Sequence, residues 1–449
     1  MTPKPTLASL AIDLASGRAS SRSLVEACLD RIEDPAGEGT KSFLLVDKRA
    51  VLAQADAMDL LRSSGAEPSR YAGIPISIKD LFDITGQVTR AGSTALKDRP
   101  AATRDAACVA RLRRAGFVLI GRTNMSEFAF SGIGMNPHYG TPRNPWERAQ
   151  ARVPGGSSSG AAISVTDLMA HAAIGTDTGG SCRIPAAFTG LVGYKPTAHR
   201  VPRTGAIPLS TSLDSVGPLA RSVACCASLD AVLASEAQPD LSNRSVSGLR
   251  FAIPKTTVLE DMDAHVAAHF ERSLAQLAAA GAHLEYLDIP EVHNLVEINS
   301  KGGISAAESF AWHRGLIESH ASEYDPRVLV RIQRGATQNA ADYIDLLTAR
   351  KAFIAAVEER IARFDALLMP TTPVIAPRIA DLAADADFFR LNGLALRNPS
   401  IINFLDGCAI SIPSHADGEP PTGLMLACRG GLDAQLFRCA AAAESVVCP

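Results

Sequence analysis

From Tyr71 onward the chain alternates short apolar, β-like runs with helical stretches, and no other feature of the sequence limits the fold as strongly. The runs are GIPISIK, GFVLIGRTN, HAAIGTD, GLRFAIPK, DALLMPTTP, GCAISIP and TGLMLAC, separated by helical stretches such as 106–114. This alternation predicts an α/β fold, a central mixed sheet covered on both sides by helices. The segment 9–57 reads as helices, with Leu24, Cys28 and Ile32 four residues apart on one face. It is expected to form an N-terminal helical layer over residues 1–60, packed on one compact catalytic unit at 61–449. Residues 261–290 read as an αβ unit in which Val266, Phe270, Leu274 and Leu277 share a helix face, followed by the strand-like LEYLDIP.

Charge and cysteine content narrow the function. The net charge of −3 gives no positive field to recruit nucleic acid or an anionic membrane, so neither is expected as a partner. Nine cysteines, an odd number without a C-x-x-C pair, read as reduced thiols. Asp13 interrupts LASLAIDLASG, which is therefore not read as a secretory h-region, and no run reaches membrane-spanning length without charge. The expectation is a cytoplasmic protein. His265 and His269 lie one helical turn apart, but the Glu and third ligand of an H-E-x-x-H site are missing, so they read as surface or packing residues and no metal is expected.

Three segments carry chemistry. In Gly73-Ile-Pro-Ile-Ser-Ile-Lys79-Asp80, a period of two sends Ile74, Ile76 and Ile78 to one sheet face and Ser77 and Lys79 to the other. A lysine at the end of a buried strand loses hydration, which lowers its pKa and makes a neutral amine available as a base; the bland alternative is a surface lysine at a strand exit. In Val153-Pro-Gly-Gly-Ser157-Ser158-Ser159-Gly160, consecutive small hydroxyls are framed by glycines that permit unusual backbone angles. No Gly-Lys-Ser/Thr follows, as a phosphate loop would need. The G-x-S-x-G centred on Ser158 lacks the apolar strand that a nucleophile elbow requires. In the third segment, HAAIG runs into Thr176-Asp177-Thr178-Gly179-Gly180-Ser181-Cys182-Arg183-Ile184-Pro185, a tight turn whose successive N–H groups can converge on one point, as an oxyanion hole requires. An ordinary structural turn is the alternative.

Together these segments resemble the amidase signature family. GGSSSGAAIS, GTDTGGSCRIPA and GYKPT stand at the family's spacing, with 24 residues (181 − 157) between the two serines, and AGIPISIKD, GRTNMSEFA, SLDSVGPLARSV, FDALLMPTTP and TGLMLA extend the likeness over about residues 70–440. The resemblance implies a histidine-free triad: Ser181 as nucleophile, Ser157 as a bridging serine after a cis peptide bond, and Lys79 as the terminal base. It further implies that the N–H groups of Thr178, Gly179, Gly180 and Ser181 receive the oxyanion, that Ser158, Asp177 and Arg183 support the loop, and that Ala129, Phe130 and Ser131 touch substrate. The loops around 300–345 and 380–400 are expected to shape the pocket. The implied reaction is hydrolysis of a linear amide or carbamate bond of a small molecule through an acyl-enzyme, with no cofactor, and homodimers are common among similar proteins.

Two other readings stand beside it: the glutamine-hydrolysing component of an amidotransferase complex, and an α/β-hydrolase-type esterase built on Ser158 with a histidine such as His293 or His415. Ile184, where the tRNA-dependent amidotransferases usually carry glutamine, and Pro208-Leu-Ser argue against the first. Cys182, in place of an aliphatic residue, reads as a small buried hydrophobe.

Overall fold

Eleven strands join in one mixed sheet, as the computed structural model, which describes residues 5–243 and 245–448, shows. In chain order they are β1 (Phe43–Leu45), β2 (Pro75–Lys79), β3 (Val118–Thr123), β4 (Ala173–Asp177), β5 (Val192–Lys195), β6 (Ser215–Ala220), β7 (Arg250–Pro254), β8 (His283–Leu287), β9 (Ala366–Pro370), β10 (Cys408–Pro413) and β11 (Gly423–Cys428). Across the sheet the order is β1-β3-β2-β4-β6-β5-β10-β11-β9-β7-β8. The expected mixed sheet covered by helices is therefore present. β2 runs parallel to both β3 and β4, whereas β4 and β6 are antiparallel.

The sequence runs become strands because both of their faces are covered. All five residues of β2, β4 and β9 are buried, as central strands between helix layers require. Ser77 and Lys79, on the face opposite Ile76 and Ile78, are buried as completely as the isoleucines. The expected αβ unit is the helix Ala264–Ala279, which buries Val266, Phe270, Leu274 and Leu277, followed by β8.

Two details differ from the sequence reading. The helix Ser21–Glu33 buries Val25, Cys28, Leu29 and Ile32 but leaves Leu24 half-buried, because its contact stripe is centred about one residue further on. Much of the segments expected as loops at 300–345 and 380–400 is helical: Gly303–His320, Pro326–Gln333, the start of Ala340–Ile361, and Asp385–Phe404. Among the described residues, no helix is long and apolar enough to cross a membrane.

Candidate active site

Two strands and one glycine loop converge at the carboxyl ends of β2 and β4, where an open sheet leaves room for a ligand. Lys79 closes β2 with 0% exposure. Its Nζ lies 2.7 Å from Ser157 Oγ and 2.9 Å from Thr176 Oγ1, and no carboxylate pairs with it among the described residues. Asp80, the next residue, turns instead to Arg122 at 2.7 Å. Burial pushes the Lys79 pKa down to about 8, against weaker opposing fields from Cys182, Asp177 and Asp214.

Ser157 follows a cis peptide bond from Gly156. A Cβ at Gly156 would lie 2.6 Å from the Gly134 nitrogen, so only glycine fits where these two loop segments cross. The loop is held through its backbone: Gly156 N–H donates to Gly132 O, and Ser126 N–H to Ser157 O. Ser157 alone of the three clustered serines has a side-chain hydrogen bond; the hydroxyls of Ser158 and Ser159 are buried without a partner among the described residues. Ser158 stands at the start of the helix Ser159–Thr166, after a loop and not after a strand, and neither His293 nor His415 hydrogen-bonds to it.

The third element is the turn from β4 into the helix Arg183–Thr189. Gly180 has φ +127°, and a Cβ there would lie 2.6 Å from Pro399 Cβ. Asp177 Oδ1 accepts from Gly180 N–H at 2.9 Å and its Oδ2 from Cys182 N–H at 3.1 Å. Arg183 grips the same carboxylate with Nε and Nη2 at 3.0 and 2.8 Å, and Asn403 Nδ2 adds a bond at 2.9 Å. Burial alone would raise this carboxyl, but the Arg183 charge and these hydrogen bonds hold it well below the usual carboxylate range. Because Gly180 N–H is taken by Asp177, it is not aimed into the pocket as the sequence reading expected. The N–H groups of Thr178, Gly179 and Ser181 have no protein acceptor among the described residues.

Ser181 is 4% exposed, and its hydroxyl makes no hydrogen bond, including none to Ser157, among the described residues. It opens on a cavity of about 490 Å³ that Ala129, Phe130 and Ser131 also line. Most of the far wall is apolar (Leu213, Val292, Leu295, Phe404), with Arg331 and Asn392 among the polar exceptions. Arg331 donates to the Arg327 and Phe130 carbonyls and forms no ion pair among the described residues. Asn392 Oδ1 accepts from Ser131 Oγ and Gly132 N–H.

The structure thus brings together Lys79, Ser157, Asp177, Arg183 and the 178–181 turn, and sets residues 129–131 on the adjoining wall. It leaves Ser158 off the pocket, its hydroxyl packed toward Gly175. Sequence reasoning missed Thr176, Asn403, Arg331 and Asn392. Thr176 alone carried a signal, the period of two within HAAIGTD. His269 bonds to Thr422 Oγ1 and faces Glu419, and no group of three or more metal-type ligands occurs among the described residues.

A strand-end lysine, a loop serine and a serine at a glycine turn define an enzyme of the serine–lysine hydrolase type in its architecture. The amidase family model matches residues 23–437, and the chain belongs to that family, the amidase signature enzymes. It is 36% identical to a 2-amino-5-chloromuconic acid deaminase of Comamonas testosteroni, covering 88% of this chain and 86% of that protein. It is 32% identical to the GatA-type component of the glutamyl-tRNA(Gln) amidotransferase of Symbiobacterium thermophilum, covering 96% and 94%. A crystal structure of an amidase superposes with a TM-score of 0.89 at 29% identity, covering 99% of this chain and all of that one. These relatives are enzymes of carbon–nitrogen bonds.

Proposed function

We propose that this enzyme hydrolyses a linear amide or carbamate bond of a small molecule by a Ser181–Ser157–Lys79 relay. The observation that carries the reading is the fully buried Lys79 Nζ held 2.7 Å from Ser157 Oγ, with no carboxylate to keep it charged. A second buried lysine makes the contrast. Lys195 Nζ donates to two carbonyls, Pro196 O and Gly407 O, which can only accept and so hold the amine as a donor. The Lys79 partners are both hydroxyls, which can reverse direction and donate to a neutral amine.

In the proposed sequence Lys79 takes the Ser157 proton as Ser157 takes that of Ser181, and Ser181 Oγ attacks the carbonyl. The developing oxyanion meets the free N–H groups of the 178–181 turn. The proton returns through Ser157 to the leaving nitrogen, and water then attacks the acyl-enzyme by the same relay. Catalytic hydrogen bonds are often looser without substrate, so the Ser181–Ser157 bond belongs to the loaded site.

A panel of aliphatic amides, aryl amides, ureas and carbamates with amine release as readout tests the reaction class. Release from at least one class by the isolated chain supports it. The likeness to the amidotransferase component favours a second reading, a glutaminase that depends on partner chains. Ile184, fully buried in an apolar cluster, leaves no polar group where the tRNA-dependent amidotransferases usually carry glutamine. Silence on the whole panel until partner chains are added would select the second reading.

The pH dependence follows from the lysine. The base works only when neutral, and burial sets its pKa near 8. The rate constant kcat/KM is expected to rise with pH to a midpoint near 8, to fall about tenfold per unit below it, and to level off above. A profile that peaks below about pH 6 contradicts a neutral-lysine base.

A further inference from the structure

We propose that Asp214 is a positioning residue that acts on both halves of the site, fixing the oxyanion turn through Thr178 and stabilising the proton on Lys79 by its charge. This rests on the reading of Lys79 and Ser181 given above. The strands β4 and β6 pair antiparallel up to Asp177 opposite Ser215, and Ser215 Oγ donates to Asp177 O at 2.8 Å. One residue beyond the last pair, the backbone ladder ends and a side-chain bond takes over: Thr178 Oγ1 donates to Asp214 Oδ1. The same carboxylate accepts from Leu209 N–H at 3.0 Å and from Ser210 N–H at 3.1 Å. One buried group therefore ties the turn that bears Ser181 to the 209–210 loop, and Leu209 is a wall of the same cavity.

The charge argument comes from the groups around the lysine. The fields that favour its protonated form come from Cys182, Asp177 and Asp214. Burial raises the Cys182 thiol far above neutrality, so it carries no charge at working pH. Asp177 carries its charge, but Arg183 matches it at 2.8 Å. Asp214 has no such partner among the described residues. The nearest cation, Arg203, gives its Nη1 to the backbone carbonyls of Thr211 and Asp214, not to the carboxylate. Burial raises the Asp214 pKa to about 6, with the hydrogen bonds from Thr178, Ser210 and Leu209 and the Arg203 charge opposing, so Asp214 is ionised where Lys79 loses its proton. Asp214 and Thr176, the second hydroxyl on Lys79, also line one side chamber of about 300 Å³ beside the main cavity.

The test compares Asp214→Asn and Thr178→Val with the wild type in full pH profiles of kcat and kcat/KM. Thr178→Val removes the bond but keeps the charge. It is expected to lower kcat by about tenfold or more with little change in KM, and to leave the acid limb in place. In Asp214→Asn, the amide sets donors against the Leu209, Ser210 and Thr178 donors, so kcat falls at least as far. Loss of the negative charge also makes protonated Lys79 less stable, which moves the acid limb to lower pH by about half a unit or more. Wild-type kcat in Thr178→Val overturns the positioning role, even if Asp214→Asn fails to fold. An unmoved acid limb in a folded Asp214→Asn overturns the electrostatic role. Failure of the underlying reading shows elsewhere, as activity retained by Ser181→Ala.

Discussion

Ser181→Ala is expected to abolish turnover, with kcat reduced by roughly 10⁴-fold or more, because the atom that forms the acyl bond is gone. Few variants can separate chemistry from folding as cleanly. The Ser181 hydroxyl has no hydrogen-bond partner among the described residues, and its removal leaves neither a stranded donor nor a broken network. Amine release should vanish while Tm stays within about a degree or two of the wild type. Measurable full activity in this variant would end the assignment of Ser181 and with it the relay.

The second large effect is expected at Lys79. Replacement by alanine should cost roughly 10²-fold or more in kcat by removing the base at the end of the relay. The alanine variant also opens a hole at a position with no exposure, so methionine is the sharper substitution, since it fills the space of the aliphatic stem without an amine. Both variants should lose the rise in rate with a midpoint near pH 8. Ser157→Ala should resemble them, because it breaks the 2.7 Å link between the lysine and the turn. A methionine variant that keeps the wild-type rate and acid limb would show that another group takes the proton.

The strands that span buried, branched runs were legible in the sequence: each of the seven apolar runs contains a strand of the sheet. β5 and β6 were not. β6 holds Gly217 and Pro218 and β5 holds Gly193, residues that weaken local strand preference, and their extended form comes from pairing with β4 and β10. The helical walls at 303–320 and 385–404 were read as loops because Gly315, Gly393 and Pro399 interrupt them, and packing against the sheet overrides those interruptions. Lys79, Ser157 and Ser181 could be found because hydroxyls among glycines and a lysine ending an apolar strand are unusual as packing elements. Asp214 could not be assigned a role in this way. The run that contains it was visible, but an acid after Ser-Leu reads equally as a turn residue, and only the fold places it against Thr178. The role expected of Gly180 was changed for a related reason: the Asp177 carboxylate, held by Arg183, turns back onto that N–H, a contact no linear spacing reveals.

The central claim is that Ser181, and no other hydroxyl of the serine-rich loops, becomes acylated. It is tested most directly by treating the enzyme with a fluorophosphonate and locating the adduct by peptide mass spectrometry. The account predicts one adduct per chain on Ser181, formed faster as pH rises through about 8 and absent from Ser181→Ala. An adduct on Ser157 or Ser158, or labelling that survives the Ser181→Ala substitution, would contradict it.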